Sequence, residues 1–416
     1  MDNNILLSIA SIGVLGIACQ WFAWWVRIPS ILFLLTVGII VGPVLNLINP
    51  DALFGNLLFP FISLSVAVIL FEGSLTLKFE DIRGHGKTVS NLVSTGALIT
   101  WLIIGYSTYH LLNLPIELAF LFGAIVVVTG PTVIIPMLRT VRPNTKVANV
   151  LRWEGIVIDP LGALLAVLVF DFIISGQQNN ALGMIFLTFG KIIFSGLIIG
   201  FVSGWSIGEL LRKQYVPQYL RNIFTLISVF AIFVISEMIE SESGLLAVTV
   251  MGITMANMKD MDIDNILDFK ESLSVLLISA LFIILAARIE LHELIHVGWP
   301  AIILLGIIIF VARPISVFTS SIGSDLTVNE KLMVSWIGPR GIIAAAISSL
   351  FALRLEDAGY SEAALIVPLT FVIIIGTVVI QSTTARYIAD FLKVREPSPT
   401  GLLIIGAGNV ARAIGK

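Results

Sequence analysis

Apolar residues in this chain come in long, uninterrupted runs with Gly or Pro at their edges. The runs fall at residues 5–26, 30–49, 57–76, 88–111, 116–138, 147–174 and 181–211, then at 219–239, 244–258, 268–288, 299–320, 329–352 and 362–391. About 20 apolar residues suffice to cross a ~30 Å hydrocarbon core as a helix, so the pattern predicts an all-α polytopic membrane protein of about thirteen transmembrane helices. The count falls to twelve if Glu240-Ser241-Glu242-Ser243-Gly244 merely kinks one helix instead of separating two.

Composition agrees. Of 416 residues, 57% are hydrophobic and 12% charged, against about 25% charged in soluble domains, and the mean hydropathy is +1.02. A formal net charge of −3 gives no basic surplus, so a nucleic-acid partner is not expected. One cysteine, Cys19, and four scattered histidines offer neither a disulfide nor a structural metal site. The first run follows Met1-Asp2-Asn3-Asn4, with no basic segment before it and no small-residue cleavage site after it, and therefore reads as a retained span.

The basic residues fix an orientation. With thirteen spans, one side receives seventeen lysines and arginines, among them Arg27, Lys78, Arg83, Arg139, Arg142, Arg152, Arg386 and Arg395, while the other receives only Arg288 and Arg354. Cytoplasmic loops collect such charges. The expectation is a multi-pass protein of the cell (inner) membrane, N-terminus outside and C-terminus cytoplasmic.

Ionisable side chains inside spans are costly and mark function by default. Here they are Glu72, Glu154, Asp159, Lys191, Arg313 and Arg340. Lys191 has no evident acidic mate and reads as a snorkelling or lipid-facing cation. Glu72, in Leu70-Phe71-Glu72-Gly73-Ser74, fits an interfacial anchor as well as a site residue. Glu154 and Asp159 share one helix, roughly 140° apart around it, so they call for different partners. Asp159 lies one turn from Gly155, whose missing side chain is expected to leave space beside the carboxylate, and Pro160 frees a backbone carbonyl nearby.

Two further breaks stand at Val128-Thr129-Gly130-Pro131-Thr132 and Trp336-Ile337-Gly338-Pro339-Arg340, seven spans apart. They suggest that spans 1–6 recur, inverted, as spans 8–13, so that two broken helices cross at the midplane. That arrangement is the usual sequence pointer to an ion site. The alternative is that each Gly-Pro pair simply kinks its helix.

At these residues the sequence resembles the monovalent cation/proton antiporters of the NhaP and sodium/proton exchanger type. The likeness spans residues 5–391 and is carried by Phe71-Glu72-Gly73, Thr129-x-Pro131, Glu154 through Asp159, Ala312-Arg313-Pro314 and Gly338-Pro339-Arg340-Gly341. The resemblance implies that Asp159 binds a monovalent cation or a proton, that Thr129 lends an oxygen and that Glu72 completes or adjoins the site. It also implies that Glu154 and Arg313 form a structural ion pair, and that Gly130, Pro131, Gly338, Pro339 and Arg340 form the broken-helix crossing. A six-helix core would rock against a scaffold that includes spans 1, 2, 8 and 9 and a homodimer contact. Three positions depart from the family pattern: Gly130 stands where an Asp is usual, Ile158 where an Asn is usual and Gly155 where a Ser is usual. A site poorer in strong oxygen ligands would suit K⁺, which costs less to dehydrate than Na⁺.

The expected function is secondary antiport of Na⁺ or K⁺ against protons, because cation and proton compete for the same carboxylate lone pairs. A gated channel lined by the broken helices and a transport-dead sensor are the alternatives. An enzyme is not expected, since no nucleophile, base and orienting group share a span. Residues 392–400 read as a linker. Residues 401–416, with Gly406-x-Gly408-x-x-Ala411 after an apolar strand, resemble the severed start of a TrkA-N-like dinucleotide-binding domain. A fuller domain would take NAD or a related nucleotide; these sixteen residues lack the βαβ unit and are expected to bind no cofactor.

Overall fold

The computed structural model describes residues 2–26, 28–174, 181–259, 264–289, 292 and 297–396. The fragment at 401–416 and residues 397–400 of the linker lie outside the described residues. Fifteen helices among them make thirteen spans. They are α1 (Asp2–Val26), α2 (Ser30–Val44), α3 (Pro50–Leu75), α4 (Gly86–Leu112), α5 (Ile116–Val127), α6 (Pro131–Val141), α7 (Thr145–Ile174), α8 (Ala181–Arg212), α9 (Arg221–Ile239), α10 (Ser243–Ala256), α11 (Asp264–Ala287), α12 (Gly298–Ser320), α13 (Val328–Trp336), α14 (Ile342–Asp357) and α15 (Ile366–Phe391). Eight are long and apolar enough to cross a membrane singly. The pairs α5/α6 and α13/α14 are each one span interrupted at its Gly-Pro.

The ambiguity at 240–244 resolves into a reversal. Glu242 turns the chain with φ of +68°. The Glu237 carboxylate accepts the N–H groups of Glu242 (2.7 Å) and Gly244 (3.2 Å), and Ser243 donates to the Ser236 carbonyl (2.8 Å). α9 and α10 then pack against each other.

Helix packing sorts the spans into two bundles. α1, α2, α3, α8, α9, α10 and α11 pack chiefly among themselves, as do α4 to α7 and α12 to α15. Spans 1, 2, 8 and 9, expected to form a scaffold, fall together in the first bundle, here named the scaffold bundle, which also holds spans 3, 7 and 10. Close approach comes from small residues, as is usual between helices in lipid. Along α8, Gly196, Gly200, Gly204 and Gly208 form one stripe against α10, and a Cβ at Gly200 would lie 2.4 Å from the Ala247 carbonyl oxygen.

Lys191 is exposed on the outside of α8, where a lipid-facing cation was expected.

Candidate ion site

The chain leaves the helix at the end of α5, runs extended through Val128 and Gly130, and re-enters it at Pro131, the first residue of α6. The same happens between α13 and α14, where Ile337 and Gly341 are extended. Both prolines disfavour helix in the residue before them, and Pro131 also suits the helix start it occupies, whereas α14 begins only at Ile342. The two extended segments meet antiparallel: Thr129 pairs with Arg340, and the Gly130 N–H donates to the Pro339 carbonyl at 3.1 Å. Glycine permits the contact. A Cβ on Gly130 would sit 2.4 Å from Gly341 Cα, and one on Gly341 would sit 2.6 Å from Gly130 Cα. The unusual Gly130 therefore belongs with Gly341 as a backbone crossing that has no room for a side chain.

Two arginines hold the half-helix C-termini, whose last carbonyls lack helical partners and carry partial negative charge. Arg340, 1% exposed, donates through Nη1 to the Val127 carbonyl at the end of α5, at 2.7 Å. Arg313 donates through Nη2 to the carbonyls of Val334 (3.2 Å) and Ile337 (2.9 Å) at the end of α13. Arg313 also makes a two-pronged ion pair with Glu154, Nη1 to Oε1 and Nη2 to Oε2, the latter at 2.8 Å. One guanidinium thus ties α12, α7 and the broken span together. At Gly338 a Cβ would fall 2.8 Å from Arg313 Nε, which explains a glycine there.

Asp159 points elsewhere, as its angular separation from Glu154 requires. It is 1% exposed, and its Oδ1 has no hydrogen-bond partner. Gly155 and Gly162, one turn before and after it on the same face, mark where that face rests. A Cβ at Gly155 would meet Ile134 Cδ1 (2.8 Å) and Pro131 Cα (3.7 Å), and one at Gly162 would meet Val128 Cγ2 (2.3 Å). The Asp159 face of α7 therefore lies against the extended segment from Val128 to Pro131. The space expected at Gly155 is not open: Ile134 fills it, and the glycine serves close packing of α6 on α7. Thr129 on that segment and Thr132 in the first turn of α6 are buried, and their hydroxyls also lack partners.

Glu72 is half-buried near the end of α3. The next residue, Gly73, is where α3 touches the other bundle: a Cβ there would lie 3.3 Å from Ile156 of α7. The structure so brings Asp159, Thr129 and both Gly-Pro segments together, with Glu154 and Arg313 as a brace behind them and Glu72 at the seam between bundles.

Sequence reading placed α15 as a span but missed its polar face. Gln381 accepts the Gly338 N–H (3.0 Å) and Thr377 accepts the Arg340 N–H (3.2 Å), so two amides released by unwinding are satisfied by side chains of one helix. The signal was present. Thr370, Thr377 and Gln381, all buried, recur at intervals of seven and four in an otherwise apolar run, which puts them on one face.

Comparison with known proteins gives consistent results. The model of the family described as "Sodium/hydrogen exchanger, transmembrane" matches residues 7–390. A relative from Methanocaldococcus jannaschii named Na(+)/H(+) antiporter 1 is 30% identical over 97% of each chain. One from Alkalimonas amylolytica named K(+)/H(+) antiporter NhaP is 25% identical over 96% of this chain and 68% of its own. The solved structure of the sodium proton antiporter MjNhaP1 from M. jannaschii superposes with a TM-score of 0.80 at 26% identity, covering 94% of this chain and 99% of that one.

Proposed function

The chain belongs to the sodium/hydrogen exchanger family, and on that premise we propose that it exchanges Na⁺ or K⁺ for protons by competition at Asp159. The observation that carries the reading is a buried carboxylate with an unpartnered oxygen, set on the one helix face that abuts an unwound segment. A cation and a proton occupy the same lone pairs, so loading one releases the other. Thr129 and Thr132, whose hydroxyls are also unpartnered, supply further oxygens. One cation per proton follows if Asp159 alone titrates; a second proton would enter through Glu72.

Glu154 and Arg313 are structural in this reading, since their charges already satisfy each other and the α13 carbonyls. Arg340 holds the α5 terminus and keeps positive charge at the crossing, where an empty site needs compensation for no more than one carboxylate. Alternating access is a rocking of the α4–α7/α12–α15 bundle against the scaffold, with the C-terminus cytoplasmic by the distribution of basic residues. The scaffold carries the contact of a homodimer in the cell membrane.

The test is flux in proteoliposomes under an imposed pH gradient, with Na⁺, K⁺, Li⁺ and Rb⁺ added in turn. Exchange that saturates, depends on the cation and reverses with the gradient is expected. Conductance without proton coupling would give the protein to the channel reading instead.

A further inference from the structure

A cavity of about 890 Å³ opens at the end of the molecule where α15 finishes, between the two bundles. Its walls come from α1, α2 and α11 of the scaffold and from α6 and α15 of the other bundle. Arg139, Arg142, Arg386 and Arg395 line it, and among the described residues no carboxylate is part of its wall. The basic corner is structurally fixed: Pro143 and Arg395 pair as antiparallel backbone, the Asn144 N–H donates to the Val394 carbonyl (2.7 Å) and the Glu396 N–H to the Arg142 carbonyl (2.9 Å). Arg395 shares Asp390 through Nη1 at 3.1 Å, while its buried Nε has no partner.

Four guanidiniums round one cavity are out of place on a route for cations, which they would repel. They match a phosphate, which arginine binds through paired N–H donors. The height of the cavity selects the source of that phosphate. Trp24 and Trp25, in its wall, are 75% and 67% exposed, and Tyr387 and Phe391, which follow Arg386 on the last turns of α15, are 74% and 85% exposed. Exposed aromatic rings at the ends of spans lie at headgroup level, and basic pockets between helices on the cytoplasmic side suit anionic headgroups. We propose that this cavity binds the phosphate headgroup of an anionic phospholipid, held by Arg139, Arg142, Arg386 and Arg395 across the junction of the two bundles. An occupied cavity ties the bundles in the arrangement that forms it, so bound lipid acts as a brake on their relative motion.

The experiment is native mass spectrometry of the purified, delipidated full chain titrated with equimolar phosphatidylglycerol and phosphatidylcholine. The readout is binding alone, so its outcome is separate from whether the chain exchanges ions. Phosphatidylglycerol is expected to bind in preference, and R139Q/R386Q to weaken it roughly 10- to 30-fold. R139K/R386K, which keeps the charge but loses the paired donors, is expected to fall between the parent and R139Q/R386Q. Millimolar inorganic phosphate is expected not to compete. Equal binding of the two lipids, or parental affinity in R139Q/R386Q, would overturn the proposal. Displacement by inorganic phosphate would overturn it in favour of a soluble ligand. If R139Q/R386Q does not fold, R142Q and R386Q singly are each expected to weaken binding roughly fivefold, and unchanged affinity in both would overturn the proposal.

Discussion

Arg313 stands at a point where three obligations meet: a carboxylate on α7, two carbonyls at the end of α13, and the absence of water. Removing one partner of a buried pair costs about 3–5 kcal/mol, because the other charge is stranded. Arg313→Met should therefore lower the thermal unfolding midpoint in detergent far more than the double variant E154L/R313M, which strands no carboxylate. Equal destabilisation by the two would show that the pair is not what holds α7 to α12. Gly130 gives a second residue-scale prediction. Gly130→Ala puts a methyl 2.4 Å from backbone at Gly341, and overpacking of this kind costs about 1–3 kcal/mol. Gly86→Ala, at a glycine with open space around it, is the matched control, and unfolding midpoints of the two variants compare them. The arginines and Gly-Pro pairs were readable along the chain. The partner of Gly130 was not, because residues 130 and 341 are brought together only by the packing of whole spans, and neither position carries a side chain to advertise it.

At the scale of elements, the turn between α9 and α10 shows what hydropathy leaves open. A charged break within an apolar run looks the same whether the helix bends or reverses; the Glu237 carboxylate and the Ser236–Ser243 pair decide it through hydrogen bonds specific to a reversal. In that turn the Glu242 carboxyl is pushed up to about 7, first by burial and then by the neighbouring Glu237, with Arg354 opposing and Asp171 adding to the rise. A carboxyl raised in the fold favours its protonated form, so its ionisation destabilises as pH climbs from the ordinary value of 4.5 through about 7. Glu242→Gln should then unfold at a higher temperature than the parent at pH 8 and at the same temperature at pH 4.5. A difference independent of pH would refute this. α15 carries another element-scale expectation. Gln381→Leu leaves the Gly338 N–H buried without an acceptor, which costs about 1–3 kcal/mol, and hydrogen exchange at the α13–α14 break should accelerate. The polar face of α15 was present in the sequence; its meaning was hidden because the groups it serves are backbone amides of another span.

At the scale of the whole molecule, thirteen spans and their broken pair follow from solvent: apolar runs of bilayer length permit little else. Which spans belong to which bundle does not follow, since every one of them is apolar enough to face lipid or protein. The four-residue glycine stripe from Gly196 to Gly208 was the available clue that α8 joins α10 in the scaffold, and with it the division into seven spans and six. That division matters because Asp159 and both crossing segments fall in the same bundle, so the proposed rocking would carry the site as a unit. The central claim is that one carboxylate is shared in turn by cation and proton. Its most direct measurement is the rate of cation-driven proton exchange in proteoliposomes by Asp159→Asn beside the parent, with both shown to be folded by equal elution and helical content. The account predicts exchange by the variant no faster than in protein-free vesicles; exchange at the parental rate would contradict it.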